Sequence, residues 1–264
     1  MRIAIVKLSA LGDIIHAMVA LQFIKQHLPN STIDWVVEEG FKDILSNNPD
    51  INEIHTVSIK KAKQQKSIKL LFNEIKKLRK LPRYDIVIDT QGLIKSAIVS
   101  RAIPSSQTFG FDNNSLRESF AAKFYTDTCS ISYDENIIKR NITVISSALS
   151  IVVSHNDILN KQSFLFSNSQ ISSDLLSDSK ANIALIPGAS FKSKIYPADQ
   201  YAKIANELSS RANFIVFWGN QSEKNMAEQI QKISPVVHVA DKLTLDGLKG
   251  FIAQLDLIIG GDTC

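Results

Sequence analysis

Short apolar runs alternate with amphipathic stretches through the first half of the chain. Pro29 and Pro82 follow two of the amphipathic stretches, where a helix should already have ended. The predicted strands cover residues 3–8, 33–37, 53–57 and 85–89, and the predicted helices cover residues 14–28, 41–47 and 67–80. Strands that alternate with helices form a parallel sheet with helices on both faces. The pattern therefore predicts a doubly wound α/β domain.

A serine-rich stretch at residues 154–179 interrupts this alternation, and we interpret it as a linker. Beyond it, we predict strands at residues 182–188, 213–219, 236–240 and 256–261, with helices at 198–210, 221–233 and 243–255. We expect two Rossmann-like domains, residues 1–160 and 161–264, that face each other across a ligand-binding cleft. The sequence stops just after the last predicted strand, so we expect the second domain to be incomplete.

Composition narrows the class of protein. Of 264 residues, 44% are hydrophobic and 21% are charged, which is typical of a globular chain and excludes wholesale disorder. The two cysteines, Cys129 and Cys264, are too few for a disulfide framework or a zinc cluster and fit a reducing cytoplasm. There is no signal-peptide pattern and no apolar stretch of about 18 residues. We expect a cytoplasmic protein with at most peripheral membrane contact.

Charge is concentrated in one segment. The stretch from Lys60 to Lys80 holds nine Lys or Arg residues and one acid, Glu74, whereas the whole chain has a net charge of +4. Such a block attracts nucleic acid, an anionic membrane surface or a phosphorylated substrate, or it is simply a solvated helix face. Phe72 is the single aromatic residue in it, so it lacks the stacking platform of a nucleic-acid binder. We expect no nucleic-acid partner.

The turn after the first strand carries Ser9, Gly12 and Asp13. Backbone N–H groups at a helix start bind phosphate or sugar oxygens, and glycine lets a ligand approach closely. We therefore assign Ser9 and Gly12 to the binding of a phosphorylated donor substrate. Asp13 either caps the helix or acts as a general base at the carboxyl end of the strand.

Three turns in the second half also carry groups that suit anions. Ser190 and Lys194 offer a hydroxyl and an ammonium to a diphosphate, or they are solvated loop residues. Glu223 is either an acid favoured by the helix dipole or a ligand to a ribose, and Asp262 and Thr263 follow the last strand. If these turns meet at one sheet edge, nucleotide or sugar-nucleotide binding is the favoured function.

Several common motifs are absent from the sequence. It contains no G-x-G-x-x-G after the first strand, no phosphate-binding G-x-x-x-x-G-K-[ST] and no D-x-D. The five histidines show neither H-x-H nor H-E-x-x-H spacing, so we interpret each as structural. We expect no metal site and no cofactor.

Six blocks of sequence resemble one known family. They are VKLSALGDIIHA from Val6, DWVVEEGF from Asp34, DTQGLIKSA from Asp89, LRESFAAKFY from Leu116, KSKIYP from Lys192 and the final GGDT. Together they resemble the glycosyltransferase family 9 heptosyltransferases of lipopolysaccharide core synthesis. VVEEGF and QGLIKSA are typical of the branch that adds the first heptose.

The resemblance implies a metal-independent, inverting enzyme of the two-domain GT-B fold. It would move L-glycero-D-manno-heptose from ADP-heptose to the 3-deoxy-octulosonic acid (Kdo) of Kdo₂-lipid A, on the cytoplasmic face of the inner membrane of a Gram-negative bacterium. Asp13 matches the catalytic base of the family. The other matched residues are Ser190, Lys194, Glu223, Asp262 and Thr263 for the donor, and Lys60, Lys61, Lys63, Lys95 and Arg117 for the anionic acceptor.

Two positions depart from the family pattern. Cys264 stands where the family has glycine, and Tyr196 stands where tryptophan is common. Because the family continues beyond this point, an alternative function stays open, in which the chain binds the anionic acceptor without catalysis.

Overall fold

A computed structural model describes residues 1–169, 173–189 and 191–261. The chain forms two compact units, Met1–Leu165 and Phe166–Cys264. The division follows residue 165, whereas we predicted a boundary after residue 160. Each unit has its own parallel sheet.

The first unit contains six parallel strands in the order β3-β2-β1-β4-β5-β6, which confirms the predicted doubly wound α/β class. The strands are β1 Arg2–Val6, β2 Thr32–Glu38, β3 Glu53–Val57, β4 Tyr84–Asp89, β5 Ser105–Phe111 and β6 Asp127–Cys129. The helices are α1 Leu11–Met18, α2 Ala20–His27, α3 Lys42–Leu45, α4 Ile59–Gln64, α5 Ile68–Leu78, α6 Ile94–Ala102, α7 Ile137–Leu149 and α8 His155–Leu159. Short 3₁₀ turns lie at Glu39–Phe41, Asn113–Ser115 and Ser119–Phe124.

The second unit contains four parallel strands in the order β10-β7-β8-β9, which confirms the prediction of a second α/β sheet. The strands are β7 Ala181–Ile186, β8 Ala212–Val216, β9 Val237–Val239 and β10 Leu257–Gly260. The helices are α9 Ala198–Leu208, α10 Gln221–Ile233 and α11 Leu245–Ile252, with 3₁₀ turns at Ser173–Leu175 and Lys192–Lys194.

Some predicted elements differ from the structure. The helix predicted at residues 14–28 begins earlier and is two helices, α1 and α2. The predicted linker contains α8, where Ser154 Oγ accepts a hydrogen bond from Asp157 N. Serine therefore caps a helix here rather than marking irregular chain. The sequence pattern missed β5 and β6 because β5 is largely polar and β6 has three residues.

Each unit has its own apolar core. Ile3 and Ile5 on β1 are fully buried, as is the alternating Ala4, because helices cover both faces of a doubly wound sheet. In the second unit, Tyr201 on α9 and Phe214 on β8 belong to one buried cluster. None of the helices in the described ranges combines the length and apolarity that crossing a bilayer requires.

A buried polar network lies at the amino ends of the first sheet. Asp34 is fully buried and accepts hydrogen bonds from Tyr84 Oη (2.6 Å), Asn52 Nδ2 (2.8 Å) and Arg2 Nη2 (3.0 Å). Burial alone would raise the pKa of Asp34, but the hydrogen bonds from Tyr84, Asn52 and Arg2 outweigh it and hold the pKa below its ordinary value. His55 Nε2 lies 3.0 Å from Tyr84 Oη and extends the network.

Asp34, Glu53 and His55 are the one group of three potential metal ligands among the residues that the structure describes. The guanidinium of Arg2 forms an ion pair with Asp34 Oδ2, so a cation bound here would compete with a positive charge already in place. The network therefore holds the strand starts together.

We expect Asp34→Ala to destabilise the first unit by about 3 kcal/mol, because it leaves buried donors unpaired. The Asp34 carboxyl titrates lower in the folded chain than in the unfolded chain. Its stabilisation is therefore complete above about pH 4 and is lost as pH falls through the folded pKa. Urea unfolding at neutral and acid pH measures this. Asp43→Ala, at an exposed position, is the matched control, and equal effects of the two variants would contradict the network's role.

Candidate active site

The side chain of Gln91 binds the backbone of the turn between β1 and α1. Its Oε1 accepts hydrogen bonds from Leu8 N (2.8 Å) and Ser9 N (3.1 Å), and its Nε2 donates to Ser9 O (2.6 Å). Gln91 follows β4, which pairs in parallel with β1. The side chain therefore joins the carboxyl ends of two neighbouring strands and orders the turn that leads to Asp13.

Asp89, the last residue of β4, orders the turn that contains Gln91. Asp89 Oδ1 accepts from Gln91 N (2.8 Å) and Gly92 N (3.1 Å), and Oδ2 accepts from Tyr125 Oη (2.8 Å). Burial raises the pKa of Asp89. Gly92 has a φ of 71° and lies so close to Leu116 that a Cβ would stand 2.5 Å from Leu116 Cδ2, so the turn requires glycine.

Asp13 lies in the first turn of α1 and does not occupy the N-cap position, which belongs to Ala10. The interpretation of Asp13 as the N-cap residue is therefore wrong. Its Oδ2 nevertheless accepts a hydrogen bond from the backbone N–H of Ala10 (3.2 Å) in the same turn. Apart from its chain neighbours and the backbone of its own helix, no atom of the described residues lies within 4 Å of where a Cβ on Gly12 would stand. This open space fits the close approach expected of a ligand.

Asp13 lines a cavity of about 380 Å³ at this sheet edge. Lys7, Arg117 and Arg140 also line it. Lys7 is 3% exposed, and its Nζ donates to Thr90 O (2.9 Å). Burial lowers the pKa of Lys7, while the carboxylates of Asp13 and Asp89 oppose that shift. The cavity thus contains a buried ammonium near the candidate base.

Sequence reasoning missed Lys7 because it lies inside an apolar run and adds no motif. The signal that could have found it is a lysine at the carboxyl end of a buried strand, where a charge needs a partner or a ligand. Arg140 was also missed. Its Nη2 donates to Ser115 O (2.7 Å) and its Nη1 to Ser132 O (2.5 Å), so it supports the cavity wall.

The predicted acceptor cations do not form one cluster. Arg117 is exposed on the Asp13 cavity, and Lys95 Nζ donates to Ser9 Oγ (3.1 Å) beside it. Lys60 and Lys61 line a separate depression on α4, whereas Lys63 lines an apolar groove that also reaches Lys95. Ser9, assigned to the donor, therefore contacts a residue assigned to the acceptor.

The VVEEGF block positions the lysine-bearing helix α4. Glu38 Oε1 accepts from Lys60 N (2.9 Å), and Glu39 Oε2 accepts from Ser58 Oγ (2.9 Å) just before the helix. Burial raises the pKa of Glu38. These two acids therefore satisfy donors at the start of α4.

The second unit brings its candidate turns to one sheet edge, because β7 lies between β10 and β8 and all three strands are parallel. Glu223 Oε2 accepts from Gly219 N (2.7 Å) and Oε1 from Asn220 Nδ2 (2.6 Å). A Cβ on Gly188 would stand 2.6 Å from Glu223 Oε1. The Glu223 side chain therefore lies against the turn after β7 while it binds the turn after β8.

Lys194 lies beside the turn after β10, since a Cβ on Gly261 would stand 2.9 Å from Lys194 O. The predicted residues Ser190, Asp262 and Thr263 lie outside the described residues. The predicted meeting of three turns at one edge is confirmed for their described parts.

Three comparisons identify relatives. A family model described as glycosyltransferase family 9 (heptosyltransferase) matches residues 72–264. The chain is 37% identical over 276 residues to lipopolysaccharide heptosyltransferase 1 of Campylobacter coli, covering 100% of this chain and 79% of that protein. It is 27% identical over 269 residues to lipopolysaccharide heptosyltransferase 1 of Escherichia coli strain K12, covering 100% of this chain and 82% of that protein.

The fold also matches solved structures. The E. coli heptosyltransferase WaaC with ADP aligns with a TM-score of 0.84 and 26% identity, covering 100% of this chain and 82% of that chain. The same enzyme with ADP-2-deoxy-2-fluoro heptose aligns with a TM-score of 0.84, covering 100% and 83%. The fold class is thus GT-B, with two Rossmann-like units. The chain belongs to glycosyltransferase family 9, the heptosyltransferases.

Proposed function

We propose that this chain transfers L-glycero-D-manno-heptose from ADP-heptose, with inversion, to the Kdo of Kdo₂-lipid A at the cytoplasmic face of the inner membrane. The observation that carries the proposal is the cavity at the β1–α1 turn, where the Asp13 carboxylate and the buried Lys7 ammonium line one space. An anionic sugar acceptor needs both a base for its hydroxyl and positive charge for its carboxylate. The similar enzyme WaaC, solved with ADP and with a fluorinated ADP-heptose, supports the choice of donor.

Asp13 acts as the general base in this proposal. A base must come within about 3 Å of the hydroxyl whose proton it takes. Asp13 lines the cavity of about 380 Å³, through which the acceptor would reach the carboxylate. As the acceptor oxygen bonds to the anomeric carbon, its proton passes to Asp13 and the bond to the ADP diphosphate breaks. One displacement of this kind inverts the anomeric centre, so a single carboxylate is enough.

The second unit supplies the donor site in this proposal. Lys194, with Ser190 and Thr263, binds the diphosphate, and its charge stabilises the leaving group in place of a metal ion. Asp262 binds the donor at the last turn. Glu223 binds the ribose with its remaining lone pairs, because each carboxylate oxygen can accept more than one hydrogen bond.

The cations assigned to the acceptor contact different parts of it in this proposal. Arg117, with Lys95 at the turn of Ser9, faces the Kdo beside Asp13. Lys60, Lys61 and Lys63 lie on α4, and we assign them to the phosphates of lipid A. This division rests on Arg117, which lines the Asp13 cavity, and on Lys60 and Lys61, which line a separate depression. Lys63 and Lys95 both line the apolar groove.

Asp13→Asn should lower kcat by about 10²- to 10⁴-fold, since the amide cannot take the proton. Binding of ADP, measured by titration calorimetry, should stay unchanged because the residues proposed to bind the diphosphate and the ribose lie in the second unit. Asp43→Asn, an exposed acid of the same unit, is the control and should retain the parent rate. Transfer by Asp13→Asn above a tenth of the parent rate would rule out Asp13 as the base.

Arg117→Gln should raise the acceptor KM about tenfold and leave the donor KM unchanged, because it removes a charge that faces the acceptor alone. Joint replacement of Lys60, Lys61 and Lys63 by Gln should also raise the acceptor KM and weaken its dependence on salt. Steady-state kinetics at two salt concentrations measure both effects, with Arg101→Gln as the control for an exposed arginine. Equal changes in the two KM values would contradict the assignment.

A further inference from the structure

An apolar groove opens on the surface of the first unit beside the charged segment. Its cavity of about 520 Å³ is lined mainly by apolar side chains of α4, α5 and α6, together with Lys63, Lys66, Ser67, Glu74 and Lys95. Ile68 is 82% exposed and Phe72 is 67% exposed on α5. Aliphatic and aromatic side chains this exposed, gathered at one place, indicate a surface that another molecule covers.

The exposed groups form the outer part of one helical stripe. Ile68, Leu71, Ile75 and Leu78 recur at helical spacing along α5, and of these only Leu78 is fully buried. The apolar face of α5 therefore continues beyond the part that the sheet can cover. Ile94 and Ile98 on α6 are also partly exposed and extend the same apolar surface across the groove.

Positive charge surrounds this apolar face. Lys63 and Lys66 line the groove, and Lys69 and Lys76 are exposed on α5. The one acid of the segment, Glu74, also lines the groove, and its Oε2 atom is buried. An apolar helix face bordered by lysines is the pattern of a helix that lies in the interface of an anionic bilayer.

We propose that α5 and the adjoining groove form a membrane-docking surface, in which Ile68, Leu71 and Phe72 enter the acyl layer of an anionic bilayer and the lysines contact its headgroups. Charge complementarity favours this occupant over a second copy of the chain, whose own face carries the same positive charge. Nucleic acid would leave the aliphatic side chains uncovered.

The location of the surface fits the proposed function, on which this inference partly rests. Lys95 lines the groove and donates to Ser9 in the turn that leads to Asp13. A lipid-anchored acceptor would therefore reach the Asp13 cavity from the same side of the unit on which the bilayer lies.

Vesicle flotation tests the surface without any substrate. The full chain is mixed with vesicles of phosphatidylcholine alone or of phosphatidylcholine with phosphatidylglycerol. We expect binding only to the anionic vesicles. The double variant Ile68→Gln with Phe72→Gln should weaken that binding about tenfold or more, because two apolar side chains no longer enter the bilayer.

Two controls separate the contributions. Val152→Gln removes an equally exposed apolar side chain, 80% accessible, that lies outside the charged segment, and it should bind as the parent does. Lys69→Gln with Lys76→Gln should weaken binding in low salt and have less effect in high salt. Equal binding of the parent and the Ile68, Phe72 double variant to anionic vesicles would overturn the proposal. So would a concentration-dependent dimer that the same variant abolishes, because a second copy would then be the occupant.

A transfer assay distinguishes this proposal from the proposed function. On soluble, de-acylated acceptor, the double variant should keep the parent kcat and KM. On acceptor embedded in anionic vesicles, its rate should fall about tenfold. Loss on both acceptors would show that the groove serves the reaction itself and would overturn membrane docking. If no transfer occurs with the parent chain, the proposed function fails, but flotation still decides the docking surface.

Discussion

The placement of Asp13 depends on the amide of Gln91, which joins the carboxyl ends of two neighbouring parallel strands. A parallel sheet directs all such ends to one edge, so residues distant in sequence meet there without any local motif. The buried carboxylate of Asp89 orders the turn that presents Gln91, and Gln91 in turn orders Ser9. The candidate base therefore sits on backbone whose hydrogen bonds are satisfied by side chains from the next strand.

Buried charge has different roles at the amino and carboxyl ends of the strands in the first sheet. At the amino edge, Asp34 has its hydrogen bonds satisfied by Tyr84, Asn52 and Arg2, which stabilises the strand starts. At the carboxyl edge, Lys7 is buried with its ammonium on a cavity that also reaches Asp13. Burial costs this ammonium hydration, and an anionic ligand would restore favourable charge interactions. The stabilising Asp34 network and the proposed chemistry at Asp13 thus lie at opposite ends of the strands.

Much of the fold could be predicted from apolar runs and helical spacing, because central strands such as β1 and β7 are continuous apolar stretches. The pattern failed for β5 and β6, which are largely polar or very short. β5 pairs with β4, and β6 pairs in turn with β5. Asp13 and Glu223 could be singled out from their positions after strands, but their contacts could not. Lys7 could have been singled out as a charge at the end of a buried strand, but its contacts could not, because Thr90, Asp13 and Asp89 are distant from it in sequence or across a turn.

The measurement that tests the central claim most directly is the release of ADP from ADP-heptose by the full chain, with and without de-acylated Kdo₂-lipid A. The proposed roles of the base, the cations and the donor turns predict that ADP appears only when the acceptor is present, together with an acceptor enlarged by one heptose. Equal release without acceptor, or no release in its presence, would contradict acceptor-dependent heptosyl transfer by this chain.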